Sequence, residues 1–362
     1  MSTNYFFVSS PLHLLFSSNL ALRHDGDHNI VVLMPRENRQ FSPFADLLAE
    51  DKSIFDEVIS FETGHQRSKF AERRRRMALI REAVLQRPAD RIFTGTDRRV
   101  EFQYAMHIAS RVNPDVIGNY VDDGMVSYLG HRSIHGIAHR YIDPLFKKLA
   151  YGWWWRNPLS IGCSPWISEA HIAYPELAHE LLRSKKVVPI DRLGFKDPRF
   201  IDLCRRILRS RNVDDRSVRN VDVILVLTHD SFYPDADAHL EGLINAVLKH
   251  DPSSQIAVKA HPRSEKAEIY AAMFPEILLL DSKVSMELYL PLLKDNCVII
   301  GDISSALFTA NWFNENTRII AVSLDNAVPA HVEGNLVRLF QGLGIPQTNM
   351  AQLPAQLAKL PQ

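Results

Sequence analysis

The chain has 362 residues, of which 46% are hydrophobic, 23% charged and 9% aromatic. That balance excludes a disordered or collagen-like chain, and at roughly 150 residues per domain the length predicts about two domains. The 42 basic and 42 acidic side chains cancel, which excludes a global polycation built to coat nucleic acid but leaves room for a local basic face.

The three cysteines, Cys163, Cys204 and Cys297, are far apart and show no CxxC spacing. They imply neither a disulfide framework nor a zinc site, and a cytoplasmic location is expected. The first residues, Met1 to Pro11, lack the positive n-region of a signal peptide. Apolar runs such as Val223–Leu227 are far shorter than the roughly 18–20 residues that cross a bilayer. A soluble chain is expected, at most peripheral on the inner face of the cytoplasmic membrane.

Short β-branched runs alternate with longer amphipathic segments. Strands are predicted at Tyr5–Val8, Ile30–Met34, Glu57–Phe61, Arg91–Thr94 and Asp115–Val121. Between them, helices are predicted over Leu12–Arg23, Phe41–Leu48, Lys69–Gln86 and Val100–Ser110. The stretch from Gly124 to about Asp215, rich in His, Trp and Pro, reads as irregular.

A second alternation then begins. Strands are expected at Val221–Leu227, Gln255–Ala260, Ile277–Leu280, Cys297–Ile300 and Arg318–Val322. Helices are expected over Asp235–His250, Glu265–Met273, Val284–Leu293 and Ser304–Phe313. Strands separated by helices predict an α/β fold with parallel sheets. The polar stretch 209–220 is the expected linker. It would separate an N-terminal Rossmann-like domain, 1–208, from a C-terminal one, 221–362, whose last helix is a candidate to return to the first domain.

Ligands of open parallel sheets sit beyond the carboxyl ends of the strands, so the polar residues just after each strand are the candidates. Asp122-Asp123-Gly124 follows the fifth strand. Crowding two carboxylates can raise one pKa, which suits a general base; the plain alternative is an Asp-Gly turn with a helix cap. His261-Pro262 follows Gln255–Ala260, where the proline holds the histidine extended. That imidazole is either a phosphate ligand and proton donor or an ordinary surface histidine. Ser304-Ser305 opens a helix, as an N-cap or as an anion site. The same two readings apply to Thr228. Glu287, in the first turn of its predicted helix, either complements the helix dipole or accepts ribose hydroxyls.

An acidic pair with glycine, a His-Pro and a Ser-Ser, in that order across two Rossmann-like halves, resemble the motifs of the bacterial GT-B sialyltransferases, including the polysialyltransferase-like group. The opening Ser9-Ser10-Pro11-Leu12-His13 is similar to the Ser/Thr-Pro-Leu-Gln start of several members, with His13 where glutamine is common. The resemblance implies two Rossmann-like domains with parallel sheets facing a central cleft. It also implies inverting transfer of sialic acid, or a related nonulosonic acid, from its CMP-activated form to a cell-surface glycan such as lipooligosaccharide or capsule. No metal or cofactor would be required.

Carried over residue by residue, Asp122 would be the general base, with Asp123 as fallback. His261 would act as acid toward departing CMP. Ser304, Ser305, Pro262, Thr228 and Gly124 would belong to the donor side, and Glu287 would bind ribose. His13, Trp154 and Arg74 are candidates for contact with the acceptor or a membrane. Trp154 lies in a Trp153-Trp154-Trp155 run flanked by lysines, and Arg74 in a run of four arginines, 73–76. These runs read either as a packing region and a solvated helix face, or as a surface for a lipid-linked glycan acceptor. Other readings of the same motifs are a Kdo transferase, a glycerophosphotransferase acting on CDP-glycerol, and a non-catalytic binder of sugar nucleotides or polyanions.

Overall fold

The computed structural model describes residues 1–34, 42–61, 69–130, 143–302, 304–323 and 337–360. The start of the predicted helix at Phe41 and Ile303 of the Ser-Ser loop lie outside them. The chain divides into two compact units, Met1–Gly194 and Phe195–Gln362.

The first unit is built on a seven-stranded sheet. Its strands are β1 (Thr3–Val8), β2 (His28–Leu33), β3 (Glu57–Ser60), β4 (Arg91–Thr94), β5 (Ile117–Val121), β6 (Glu169–Ile172) and β7 (Lys186–Pro189). They pair in parallel in the order β3-β2-β1-β4-β5-β6-β7. Strand order reverses between β1 and β4, which is where doubly wound sheets open a crevice. Strands covered on both faces are apolar throughout rather than alternating, and β1 is buried from Asn4 to Val8. Within that core Phe6 stacks on Phe93, with centroids 4.5 Å apart, and meets Phe55 edge-on at 5.6 Å.

The second unit holds β8 (Val223–Val226), β9 (Ile256–Lys259), β10 (Leu278–Leu280), β11 (Val298–Asp302), β12 (Arg318–Val322) and β13 (Gln347–Thr348). These are again parallel, in the order β10-β9-β8-β11-β12-β13, with the reversal between β8 and β11. Leu225, Val258 and Ile300 pack with Leu240, Leu243 and Ile244 of helix Ala236–His250 in one apolar cluster.

Four expectations are corrected. The middle of the chain is not irregular: it supplies β6, β7 and helix Pro198–Ser210. Strands of four residues containing Glu169, His171 and Pro189 carry too little apolar pattern to stand out. The helix expected over Val284–Leu293 is instead two 3₁₀ turns, Met286–Leu288 and Leu290–Leu292, consistent with Pro291, whose missing N–H interrupts a helical ladder. The division falls at 194/195, ahead of the expected 208, and the expected linker contains helix Asp215–Arg219. There Asp215 accepts from Arg209 at 3.0 Å and Arg219 at 2.7 Å, tying that stretch to the end of helix Pro198–Ser210. The last described helix, Leu353–Leu357, stays with the second unit, burying Leu353 and Leu357 in its core cluster.

Candidate functional site

In the first unit, three strand ends converge on the acidic pair. Asp122 is fully buried just past β5. Its Oδ1 accepts from the Gly124 N–H at 2.9 Å, and its Oδ2 from the Ala173 N–H at 3.0 Å and the Tyr128 hydroxyl. Burial pushes its pKa up to about 6, against the pull of those donors. The turn depends on Gly124, which has φ +66 and ψ −138, a conformation that a side chain would strain.

Asp123 points the other way, as adjacent side chains leaving a strand do. Its carboxylate keeps 19% of its surface open and lies 2.6 Å from His13 Nε2. A carboxylate only accepts, so Nε2 carries a proton. The other ring nitrogen, Nδ1, lies 3.0 Å from Ser9 Oγ, and the ring itself is 1% exposed. Ser9 directly follows β1, and His13 sits in the first turn of helix Pro11–Arg23, capped by Ser10. Gly95, just after β4, leaves the space for this ring: a Cβ there would fall 2.2 Å from His13 Nε2. Two further groups fix the surroundings. The Asp123 N–H donates to Ser127 Oγ at 3.0 Å, and buried Asp97 holds the loop beyond β5 through the Gly162 and Ser164 N–H groups at 2.9 and 2.7 Å.

In the second unit, Thr228, Asp302 and Ser304 gather at the reversal between β8 and β11. The Thr228 N–H donates to Asp302 Oδ2 at 2.9 Å, and the Tyr233 hydroxyl donates to the same oxygen. Ser304 occupies the N-cap position of helix Ser305–Phe313, yet its hydroxyl makes no capping bond. Ser304 Oγ is buried with no hydrogen-bond partner among the described residues. Ser305 is exposed in the first turn of that helix.

His261, after β9, packs edge-on against His229 with ring centroids 5.4 Å apart. Its Nδ1 accepts from the Arg263 N–H at 3.2 Å, which leaves the proton of a neutral ring on Nε2. Desolvation, and then the charges of Arg263, His229 and Lys259, lower its pKa. Pro262 is exposed beside it. Glu287 is tied down, accepting from the Ser285 hydroxyl and from Thr309 Oγ1 at 3.2 Å. Both of its oxygens are thereby engaged.

The two outlying candidates separate. Trp154 packs on helix Val100–Val112, 5.7 Å from the His107 ring and 5.4 Å from Tyr104. Trp155 is core, and the exposed member of the run is Trp153, at 69%. Arg74 is exposed on helix Lys69–Gln86.

Sequence reasoning gave no site role to Gly95, Asp97, Tyr128 or Asp302, and Ser9 entered only as part of the opening motif. Of these four, Gly95 carried a visible signal, as a glycine immediately after a strand at the sheet reversal. Among the described residues no group of three His, Cys, Asp or Glu side chains is arranged to hold a metal ion. Nor, among them, is any helix long and apolar enough to cross a membrane.

Solved structures set the class. The alpha/beta-galactoside alpha-2,3-sialyltransferase of Photobacterium phosphoreum aligns over 97% of this chain and 99% of its own, at 13% identity and a TM-score of 0.60. The UDP-GlcNAc 2-epimerase of Methanocaldococcus jannaschii aligns over 99% and 92%, at 12% identity and a TM-score of 0.55. Those TM-scores over nearly the whole chain establish the architecture alone, a two-domain Rossmann-like GT-B fold. The family model of alpha-2,8-polysialyltransferase (POLYST) matches residues 4–323; the chain belongs to that family and is a glycosyltransferase. No curated protein matches it.

Proposed function

We propose that the protein transfers sialic acid, or a related nonulosonic acid, from its CMP-activated form to a hydroxyl of a glycan acceptor, with inversion and without a metal. The observation that carries this reading is the open carboxylate of Asp123, held 2.6 Å from buried His13. A general base must reach its proton, and Asp122, with all its surface buried and both oxygens bonded, offers none of its own. Asp123 is therefore the base. His13 is the positioning residue that fixes its rotamer, and Asp122 holds the turn.

In the step proposed, Asp123 takes the acceptor hydroxyl proton and the freed oxygen bonds to the anomeric carbon. The bond from that carbon to the phosphate oxygen breaks, and its electron pair leaves with CMP. Hydrogen bonds aimed at that oxygen stabilise the charge as it develops. His261 Nε2–H, the Ser304 hydroxyl and the N–H groups opening helix Ser305–Phe313 are the donors on the second unit. The bonds already made by Glu287 suit support of that helix through Thr309, and ribose recognition would require it to exchange a partner.

The test is ligand-induced thermal stabilisation. A ligand binding only the folded state at 100 times its Kd adds about 2.7 kcal/mol. CMP is expected to raise the melting temperature, and UDP and ADP are not. A preference for UDP removes the reading.

A further inference from the structure

A cavity of about 740 Å³ lies among helix Lys69–Gln86, helix Val100–Val112 and helix Asp143–Tyr151 of the first unit, and none of Asp122, Asp123 or His13 lines it. Arg73, Arg74 and Arg81 line it against a single carboxylate, Glu82. Arg73 bonds to the Tyr151 hydroxyl, whereas Arg74 and Arg81 are exposed and have no carboxylate partner among the described residues. Met77 and Leu85 add apolar wall, and Leu85 leaves 48% of its surface in water.

The helix that contributes Ala150 and Tyr151 to this wall also exposes Phe146 and Leu149, at 67% and 68%, and Trp153 just beyond it stands at 69%. Phe146 and Leu149 are three residues apart and so share a helix face. Lys148 lies beside them, its ammonium 5.8 Å from the Trp153 ring centroid. Three large apolar side chains with a cation among them, next to a cavity where Arg74 and Arg81 have no carboxylate partner among the described residues, form an amphipathic cationic surface.

We propose that this face docks on a bilayer containing anionic phospholipid, with lipid phosphate entering the cavity toward Arg74 and Arg81 and with Phe146, Leu149 and Trp153 in the interface. Charge complementarity selects an anion, and the apolar side chains select a lipid. A soluble anionic saccharide would satisfy the arginines but leave Phe146, Leu149 and Leu85 in water. The inference stands apart from the transferase chemistry, because it uses none of the residues assigned to it.

The experiment is co-sedimentation of the full chain with vesicles of phosphatidylcholine alone and with 30% phosphatidylglycerol. Binding is expected to the mixed vesicles and to weaken with salt, as screened charges require. Each cation near such a surface contributes about a fivefold affinity gain, so Arg74→Ala with Arg81→Ala is expected to lose roughly 30-fold. Phe146→Ser with Leu149→Ser is expected to lose at least about tenfold at unchanged salt dependence. Both pairs are exposed, and unchanged melting temperatures verify folding. Equal binding to the two vesicle types, or binding indifferent to both double variants, overturns the proposal. So does arginine-dependent binding of soluble oligosialic acid without vesicle binding, which would make the cavity a saccharide groove. Inorganic phosphate at millimolar concentration is expected not to displace the protein from vesicles; displacement would reduce the site to one for free phosphate and overturn the docking.

Discussion

At the carboxyl edge of the first sheet every oxygen of Asp122 accepts a hydrogen bond, and Asp123 is clasped by His13, itself beside Ser9. At the corresponding edge of the second sheet, Ser304 Oγ is buried with no hydrogen-bond partner among the described residues, while Asp302 Oδ1 and His239 Nε2 face each other at 3.6 Å. A buried polar group without a partner costs about 1–3 kcal/mol, and Ser304 carries that cost at its sheet edge, where both oxygens of buried Asp122 in the first unit are satisfied. The difference matches the division of labour proposed for them. A general base works from a fixed position, which the first unit sets with its own groups. A leaving phosphate needs donors not already spent on the protein, and the Ser304 hydroxyl is one.

The largest effect falls on the fixed side. Asp123→Ala is expected to lower the turnover of sialyl transfer by about 10²–10⁴-fold, the usual worth of a positioned general base, with CMP binding retained. Turnover is read with CMP-sialic acid and a soluble acceptor, and CMP affinity by calorimetry. Full activity in this variant would return the role to Asp122 and dissolve the contrast.

Asp122 is expected to show itself in stability. Burial raises its pKa from 3.8 to about 6 in the folded state. For a raised pKa the folded protein holds the proton more tightly than the unfolded chain. The stabilisation is therefore fully present below about 3.8 and lost as pH rises through about 6. Asp122→Asn removes this titration. The stability of the native protein relative to that variant should fall by about 2 kcal/mol between pH 4 and pH 7, measured by urea unfolding of both proteins at each pH. A difference that does not change with pH would mean that Asp122 does not titrate as its burial requires.

Much of the architecture was legible because buried parallel strands are short apolar runs, and helices between them have a different period. The strand ends were legible for the same reason, which is how Asp122-Asp123, His261 and Ser304-Ser305 were found. Which carboxylate is open was not: adjacent side chains diverge, and their environments come from Tyr128, Ala173 and His13, the last 110 residues away. The His13 pairing also depends on the absence of a side chain at Gly95, a steric fact with no polar signature. The middle segment misled because β6 and β7 gain their stability from the sheet they extend rather than from their own pattern.

The sharpest probe of the unspent side is Ser304→Ala. A serine at an N-cap ordinarily contributes about 1 kcal/mol through its capping bond, and Ser304 makes none. Removing a buried hydroxyl that has no hydrogen-bond partner among the described residues relieves its desolvation, so the melting temperature should hold or rise slightly. If that hydroxyl binds the donor phosphate, a charged hydrogen bond of about 1.5 kcal/mol is lost and CMP affinity falls about tenfold. The two readouts therefore move independently, and together they separate the roles. A lowered melting temperature with unchanged CMP affinity would make Ser304 a cap after all, and the contrast between the two sheet edges would go. Weaker CMP binding at an unchanged melting temperature is the outcome expected of a donor held in reserve for the leaving group.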